Sequence, residues 1–258
     1  MVFGLKQLAV SLTVVAGLSG GALAQEVVRL GTTPESYPPF TVVDASGKVT
    51  GFEADLADAL CAEMKVKCEW VLQAWDGIIP ALTENKFDAI IASMSITNER
   101  KQVVDFSDYY YTSPATFVGP KSEEVTISPE GLKGKTVGVQ VATIHLGYLE
   151  AKYKDVVEIK TYDTQENANL DLIAGRVDLL LADSVALSDG LLNTPDGADF
   201  EMKGEPLRDP MLGEGVGVAV RKGDPLKDKF SAAIKAIVAN GTYKTINDKY
   251  FKVDLYLR

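Results

Sequence analysis

Histidine occurs once and cysteine twice in the 258 residues. That scarcity excludes a structural metal cluster, which is built from several such ligands. The two cysteines, Cys61 and Cys68, enclose six residues in CAEMKVKC. Free thiols and half a metal site compete there with a disulfide. Export would favour the disulfide, worth about 2.5 kcal/mol for so short a loop. Positive charge is also short: 26 Lys and Arg stand against 36 Asp and Glu, a formal charge of −10. So acidic a body is a poor partner for nucleic acid or anionic lipid. It mildly favours cationic small molecules, although many proteins are acidic for solubility alone.

Long apolar runs are missing after the first residues. At the start, Leu8 to Leu18 is mostly apolar, with Lys6 before it and Ala-Leu-Ala at 22–24. This predicts a secretory signal over 1–24, cleaved after Ala24, too short and interrupted to span a membrane. Without Lys6 the remaining 234 residues carry −11. They suffice for one large domain or two lobes of about 100 residues each. Catalytic signatures are lacking too. His145 is tied by motif to no serine or cysteine. Gly-Lys-Thr at 134–136 has Pro129 where a phosphate loop needs glycine, and GEGVGVAV (213–220) lacks the dinucleotide fingerprint. The latter predicts a strand lying close to other backbone.

What is present is an alternation of strand and helix patterns, the signature of α/β layering. EVVRLGTT (26–33) and KCEWVLQ (67–73) read as strands. GFEADLADALCAEM (51–64) reads as a helix, with its acidic residues toward the start, where the dipole favours them. ASGKVTG (45–51) reads as a turn and WDGIIPALTEN (75–85) as a second helix. After the tyrosine-rich SDYYYTSPATFVGP (107–120) the pattern restarts. LKGKTVGVQ (132–140) and VVEIKTY (156–162) are strands around the helix ATIHLGYLEAKY (142–153). A long helix should end at Asn240-Gly241, with a shorter one after it.

Two segments are alike. LTENKFDAIIAS (82–93) matches LIAGRVDLLLAD (172–183) as helix end, turn, basic residue, apolar residue, aspartate and buried strand. Such a repeat suggests two lobes of related architecture. Ligands in open α/β sheets bind beyond the carboxyl ends of the strands, where Ser93 and Asp183 occupy equivalent places.

Candidates for recognition follow from that geometry. Ser93, Ser95 and Thr97 in ASMSITNER are ordinary caps by default, or the polar floor of a cleft. Arg100, three residues beyond, would then clamp a carboxylate. Thr143 begins a helix whose free N–H groups suit the same carboxylate. Asp183, a carboxylate at a strand end, would take an ammonium. Tyr37, on a proline-rich loop, and Trp75, before a helix, are core packing or the two walls of a side-chain pocket.

Taken together, SYPPF, GFEADLADALCAEMKVKC, QAWDGIIPAL, FDAIIASMSIT with Arg100, LKGKTVGV, AGRVDLLLAD and GVGVAVRKGDPL resemble one family over nearly the whole chain. It is the periplasmic polar-amino-acid-binding proteins of ABC importers, in the lysine/arginine/ornithine-, histidine- and opine-binding branch. The resemblance implies an α/β two-lobed periplasmic-binding-protein fold of type II, with two crossover strands as hinge. Lobe one would comprise 25–112 and 214–258, and lobe two 115–208. Arg100 and Thr143 would take the α-carboxylate; Asp183, Ser93 and Ser95 the α-ammonium, beside Met94; Tyr37 and Trp75 the side chain. The family's disulfide falls on Cys61 and Cys68. It also implies a monomer working with a membrane ABC permease in the periplasm, with no metal, cofactor or catalytic residue.

Departures bear on the ligand. Basic-amino-acid binders carry an acidic residue three before the tyrosine matched by Tyr37; here that residue is Pro34, and Glu35 stands one place closer. Ala92 replaces a common hydroxyl. QAWDGIIP and His145 lean towards opine binders, whereas Asp183 favours a primary amine. The expected function is capture of an L-amino acid, most of all a cationic one. The competing classes are an opine or other polar amino-acid binder, a dehydratase on the same fold using His145 or Glu35 as general acid, and a sensor domain.

Overall fold

The structure is a computed structural model and describes Met1 and residues 26–256. The signal expected over 1–24 lies, apart from Met1, outside the described residues. The first half of the chain runs β1 (Val27–Thr32), the short hairpin β2 (Val42–Val43) and β3 (Val49–Thr50), α1 (Phe52–Met64), β4 (Lys67–Leu72), α2 (Ile78–Thr83), β5 (Ala89–Ile90), β6 (Val104–Tyr111) and β7 (Ala115–Pro120). It continues through β8 (Thr136–Gln140), α3 (Ile144–Tyr153), β9 (Glu158–Tyr162), α4 (Gln165–Ile173), β10 (Leu179–Asp183) and α5 (Ser184–Leu187). β11 (Phe200–Lys203), β12 (Val216–Arg221), α6 (Leu226–Ala239) and α7 (Thr242–Tyr250) complete it. The hairpin occupies part of the stretch read as a turn. The tyrosine-rich segment, for which the sequence suggests no element, supplies β6 and β7.

Two five-stranded sheets share one topology. The first has the order β4-β1-β5-β12-β6 and the second, read from the other edge, β9-β8-β10-β7-β11. In each, four strands run in one direction and the fourth in the order runs antiparallel to them, between the central strand and the last. The fourth strand comes from beyond a crossover, because β12 follows β11 and β7 follows β6. The central strands β5 and β10 are wholly buried, which is why FDAII and VDLLLA lack the alternation of a half-exposed strand.

The repeat noticed in the sequence folds through matching bonds. Asn85 (φ 62°) and Gly175 (φ 67°) both turn left-handed after their helices. Asp88 then accepts from Arg29 N at 2.9 Å, and Asp178 accepts from Thr136 N at 2.7 Å. Each aspartate thus pins a central strand to its parallel neighbour. Close approach explains Gly31, where a Cβ would stand 2.5 Å from the Phe87 ring. Gly51, at φ 107°, lets α1 start directly against the Phe40 carbonyl.

Each sheet buries both faces. In the first, Leu30, Phe52, Leu56, Phe230 and Ile234 pack on one side and Ile78, Leu82, Phe87 and Val104 on the other. The second has Phe117, Leu149 and Leu181 opposite Leu172, Leu180 and Leu187. Each such fully buried side chain contributes about 1.5–3 kcal/mol. The Cys61–Cys68 disulfide, with Cα atoms 6.1 Å apart, ties the end of α1 to β4. It locks one edge of the first sheet and lies away from the sheets' carboxyl ends.

Candidate functional site

A cleft of about 660 Å³, partly open to solvent, lies where the carboxyl ends of the two sets of parallel strands face each other. Thr33 follows β1, Trp75 follows β4, and Ala92 and Ser93 follow β5. From the opposite lobe come Gln140 and Asp183 at the ends of β8 and β10, and Thr143, Ile144 and His145 at the start of α3.

Nine of the ten candidate ligand residues line this cleft: Glu35, Tyr37, Trp75, Ser93, Ser95, Arg100, Thr143, His145 and Asp183. Met94 does not. Its side chain is buried with Ile78, Leu82 and Phe87 in the core of the first lobe, beyond the left-handed bend at Ser93. Thr33, Ser36, Thr41, Gln140 and Gln165 also line the cleft and escaped the sequence reading. Thr33 and Gln140 were findable, since each lies at or just beyond the carboxyl end of a parallel strand.

The floor after β5 is held from behind. Ser93 adopts φ 53°, and its N–H donates to Glu53 Oε1 at 2.7 Å. Glu53 also accepts from Thr41 Oγ1 at 2.7 Å and from the Tyr110 hydroxyl. Burial pushes this carboxyl upward, and its three donors pull the other way. The first-turn position of Glu53 suggested only dipole stabilisation. The structure corrects that: Glu53 is fully buried and acts as the acceptor that shapes the Ser93 turn.

Arg100 lies over the Trp75 ring, 5.3 Å from its centroid, and donates to Ser95 O at 2.9 Å. Burial lowers its guanidinium to about 10, still charged at neutral pH. Across the cleft, Thr143 caps α3 by accepting from Leu146 N at 3.1 Å. Asp183 is 6 % exposed and accepts from Tyr37 Oη at 2.9 Å. Although it stands at the N-terminus of α5, its side chain makes no capping bond. Desolvation drives its carboxyl up to about 7, against the pull of Tyr37 and Arg100. His145 Nε2 approaches Asp183 Oδ1 at 3.8 Å, but burial and Arg100 hold the imidazole down at about 3. The pair is therefore a neutral imidazole beside a carboxyl group, not an ion pair. Glu35 Oε2, Ser93 Oγ and His145 Nε2 are buried with no hydrogen-bond partner in the protein.

Two lobes of one topology, with charged groups from both facing a single cleft, define a two-lobed ligand-binding protein of the type II fold. The chain belongs to the bacterial extracellular solute-binding proteins, family 3, which it matches over residues 28–253. It is 48 % identical over 236 residues to an L-arginine-binding protein of Pseudomonas aeruginosa, covering 90 % of this chain and 91 % of that one. A lysine/arginine/ornithine-binding periplasmic protein of Escherichia coli is 37 % identical over 98 % of this chain and 99 % of its own. Among solved structures, an ancestral arginine-binding protein bound to arginine is similar with a TM-score of 0.80 and 38 % identity, over 88 % of this chain and 99 % of that one.

Proposed function

We propose that this protein is a periplasmic receptor that captures a cationic L-amino acid of the arginine, lysine or ornithine type and delivers it, chemically unchanged, to a membrane ABC permease. The lobes formed by 25–112 with 214–258, and by 115–208, close on the ligand. The observation that carries the reading is a match of charges. The charged side chains lining the cleft are Arg100, Asp183 and Glu35, with His145 neutral. A cationic amino acid brings the complement: a carboxylate for Arg100 and Thr143, an α-ammonium for Asp183 and the serines, and a distal cation for Glu35. Glu35 Oε2 is buried and unpartnered, so a distal cation would relieve its desolvation. A neutral zwitterion would leave it unpaired. Because the two halves of the site sit on different lobes, a ligand that touches both favours the closed state. Both curated relatives named above are similar over nearly their whole length, which supports the same reading.

The test is a thermal-shift screen of the chain from Gln25 against the twenty amino acids, ornithine, citrulline and octopine-type opines. A ligand of the folded state at one hundred times its Kd stabilises by about 2.7 kcal/mol. Shifts with arginine, lysine or ornithine support the cationic pocket. Shifts confined to opines would overturn it. A second reading draws on the protonatable Asp183 beside His145, an arrangement able to supply a general acid. Conversion of a prephenate-like or arogenate-like acid during incubation would favour that dehydratase reading over capture.

A further inference from the structure

The resemblance assigns Trp75 the role of a flat ring against the ligand side chain. Its nitrogen has a different partner. Trp75 Nε1 donates at 3.2 Å to the carbonyl of Ala142, which lies across the cleft between β8 and α3. Arg100 Nη2 donates to the same carbonyl, also at 3.2 Å. A carbonyl oxygen has two lone pairs and can accept both. Two donors from the first lobe therefore converge on one acceptor of the second, with the guanidinium lying over the indole ring. Ala142 holds φ 55°, a left-handed conformation that a residue with a Cβ adopts only where its surroundings impose it.

The other hydrogen bond across the cleft differs in kind. Tyr37 donates to Asp183 Oδ2, on the carboxylate that a ligand ammonium would also engage, so that bond shares a group with the ligand. The bond from Trp75 to Ala142 joins an indole N–H to a backbone carbonyl and uses neither Asp183 nor any other group assigned to the ligand. We infer that the indole N–H of Trp75 is a closure contact, which weights the closed state equally for every ligand, while the ring of Trp75, and not its N–H, discriminates among side chains. This rests on the cleft being an amino-acid site. The affinity of a receptor that grips its ligand only when closed scales with the closed fraction. Loss of the N–H should therefore weaken all ligands by one common factor.

Trp75→Phe keeps a ring and removes the donor; Trp75→Ala removes both. Calorimetric titration of each variant with arginine, lysine and ornithine reads the factor, and small-angle scattering without amino acid reads closure directly. Trp75→Phe should weaken all three ligands by the same factor, about three- to tenfold for one neutral hydrogen bond, and should enlarge the radius of gyration. Trp75→Ala should add a further loss that differs among the ligands. Wild-type affinities in Trp75→Phe, or a loss that varies more than about twofold among the ligands, would overturn the inference. If Trp75→Phe fails to fold, a benzothienylalanine at position 75, which exchanges the N–H for sulfur, is held to the same outcomes. If the wild type binds none of the three, the amino-acid reading fails; an unchanged radius of gyration would then overturn the closure contact on its own.

Discussion

The turn after α2 and the turn after α4 are built from the same bonds, yet the strands they feed end differently. Asn85 and Gly175 reverse the chain, and Asp88 and Asp178 anchor the next strand to its neighbour. Beyond β5 the chain bends at Ser93, whose N–H is already taken by Glu53 from the same lobe. β10 ends in Asp183, whose carboxylate finds its hydrogen bond across the cleft at Tyr37 and makes none to its own helix. One floor is finished within its lobe; the other is completed only by the opposite lobe. A two-lobed receptor gains from that asymmetry. The pre-formed side fixes geometry, and the incomplete side makes contact across the cleft favourable.

The largest test of this contrast is Asp183→Asn. Removing one partner of a buried ion pair costs about 3–5 kcal/mol, so titration calorimetry should show affinity falling at least about a hundredfold. Stability without ligand should move the other way. The Asp183 carboxyl titrates near 7 in the folded chain, above an unfolded aspartate at about 3.9. Its penalty is therefore absent below the unfolded value and grows as pH rises toward 7. The variant should melt at or slightly above wild type, with the larger gain at pH 8 than at pH 5. Binding that survives the substitution would remove the ammonium role.

The matched aspartates give the next test. Asp88 is engaged by Arg29 and Arg221, while Asp178 has Lys135 only at 4.0 Å. Asp88→Asn should therefore cost about 2 kcal/mol in urea denaturation and Asp178→Asn about 1 kcal/mol. Equal losses would mean that the backbone anchor, common to both, carries the whole effect. A smaller effect concerns pH. Since an ammonium needs the charged form of Asp183, affinity for arginine should weaken as pH falls from 8 to 5.5, by up to about tenfold per unit below 7. A flat profile over that range would contradict the assignment. Smallest is the side-chain effect of Trp75→Ala, which should weaken long ligands a few-fold more than short ones. Equal weakening would take the ring out of the side-chain pocket.

Much of this was legible in the sequence because it is local. The helix–turn–strand repeat, the Thr143 cap and the polar strand ends depend on neighbours within a few residues. What escaped depends on distant partners. Nothing near Glu53 announces that Thr41, Ser93 and Tyr110 will surround it. Met94 lies between two lining serines yet faces the core, a matter of one residue of register. The run of tyrosines at 109–111 hides a strand because Tyr110 and Tyr111 are buried in succession, so no alternation of polar and apolar residues marks it. The cross-cleft bonds of Trp75 and Arg100 to Ala142 join residues that no pattern links.

The crossed strands have a consequence for the order in which the molecule can be assembled. The second sheet is drawn from one uninterrupted stretch, Ala115 to Lys203. The first cannot close until β12 arrives, since β12 sits between β5 and β6. While a ribosome has made only the first two hundred or so residues, β5 therefore exposes a bare hydrogen-bonding edge, the kind of template that recruits foreign strands. Protease treatment of a chain stopped after Asp209 should digest residues 27–111 and spare 115–203. The half that begins first is the half that must wait.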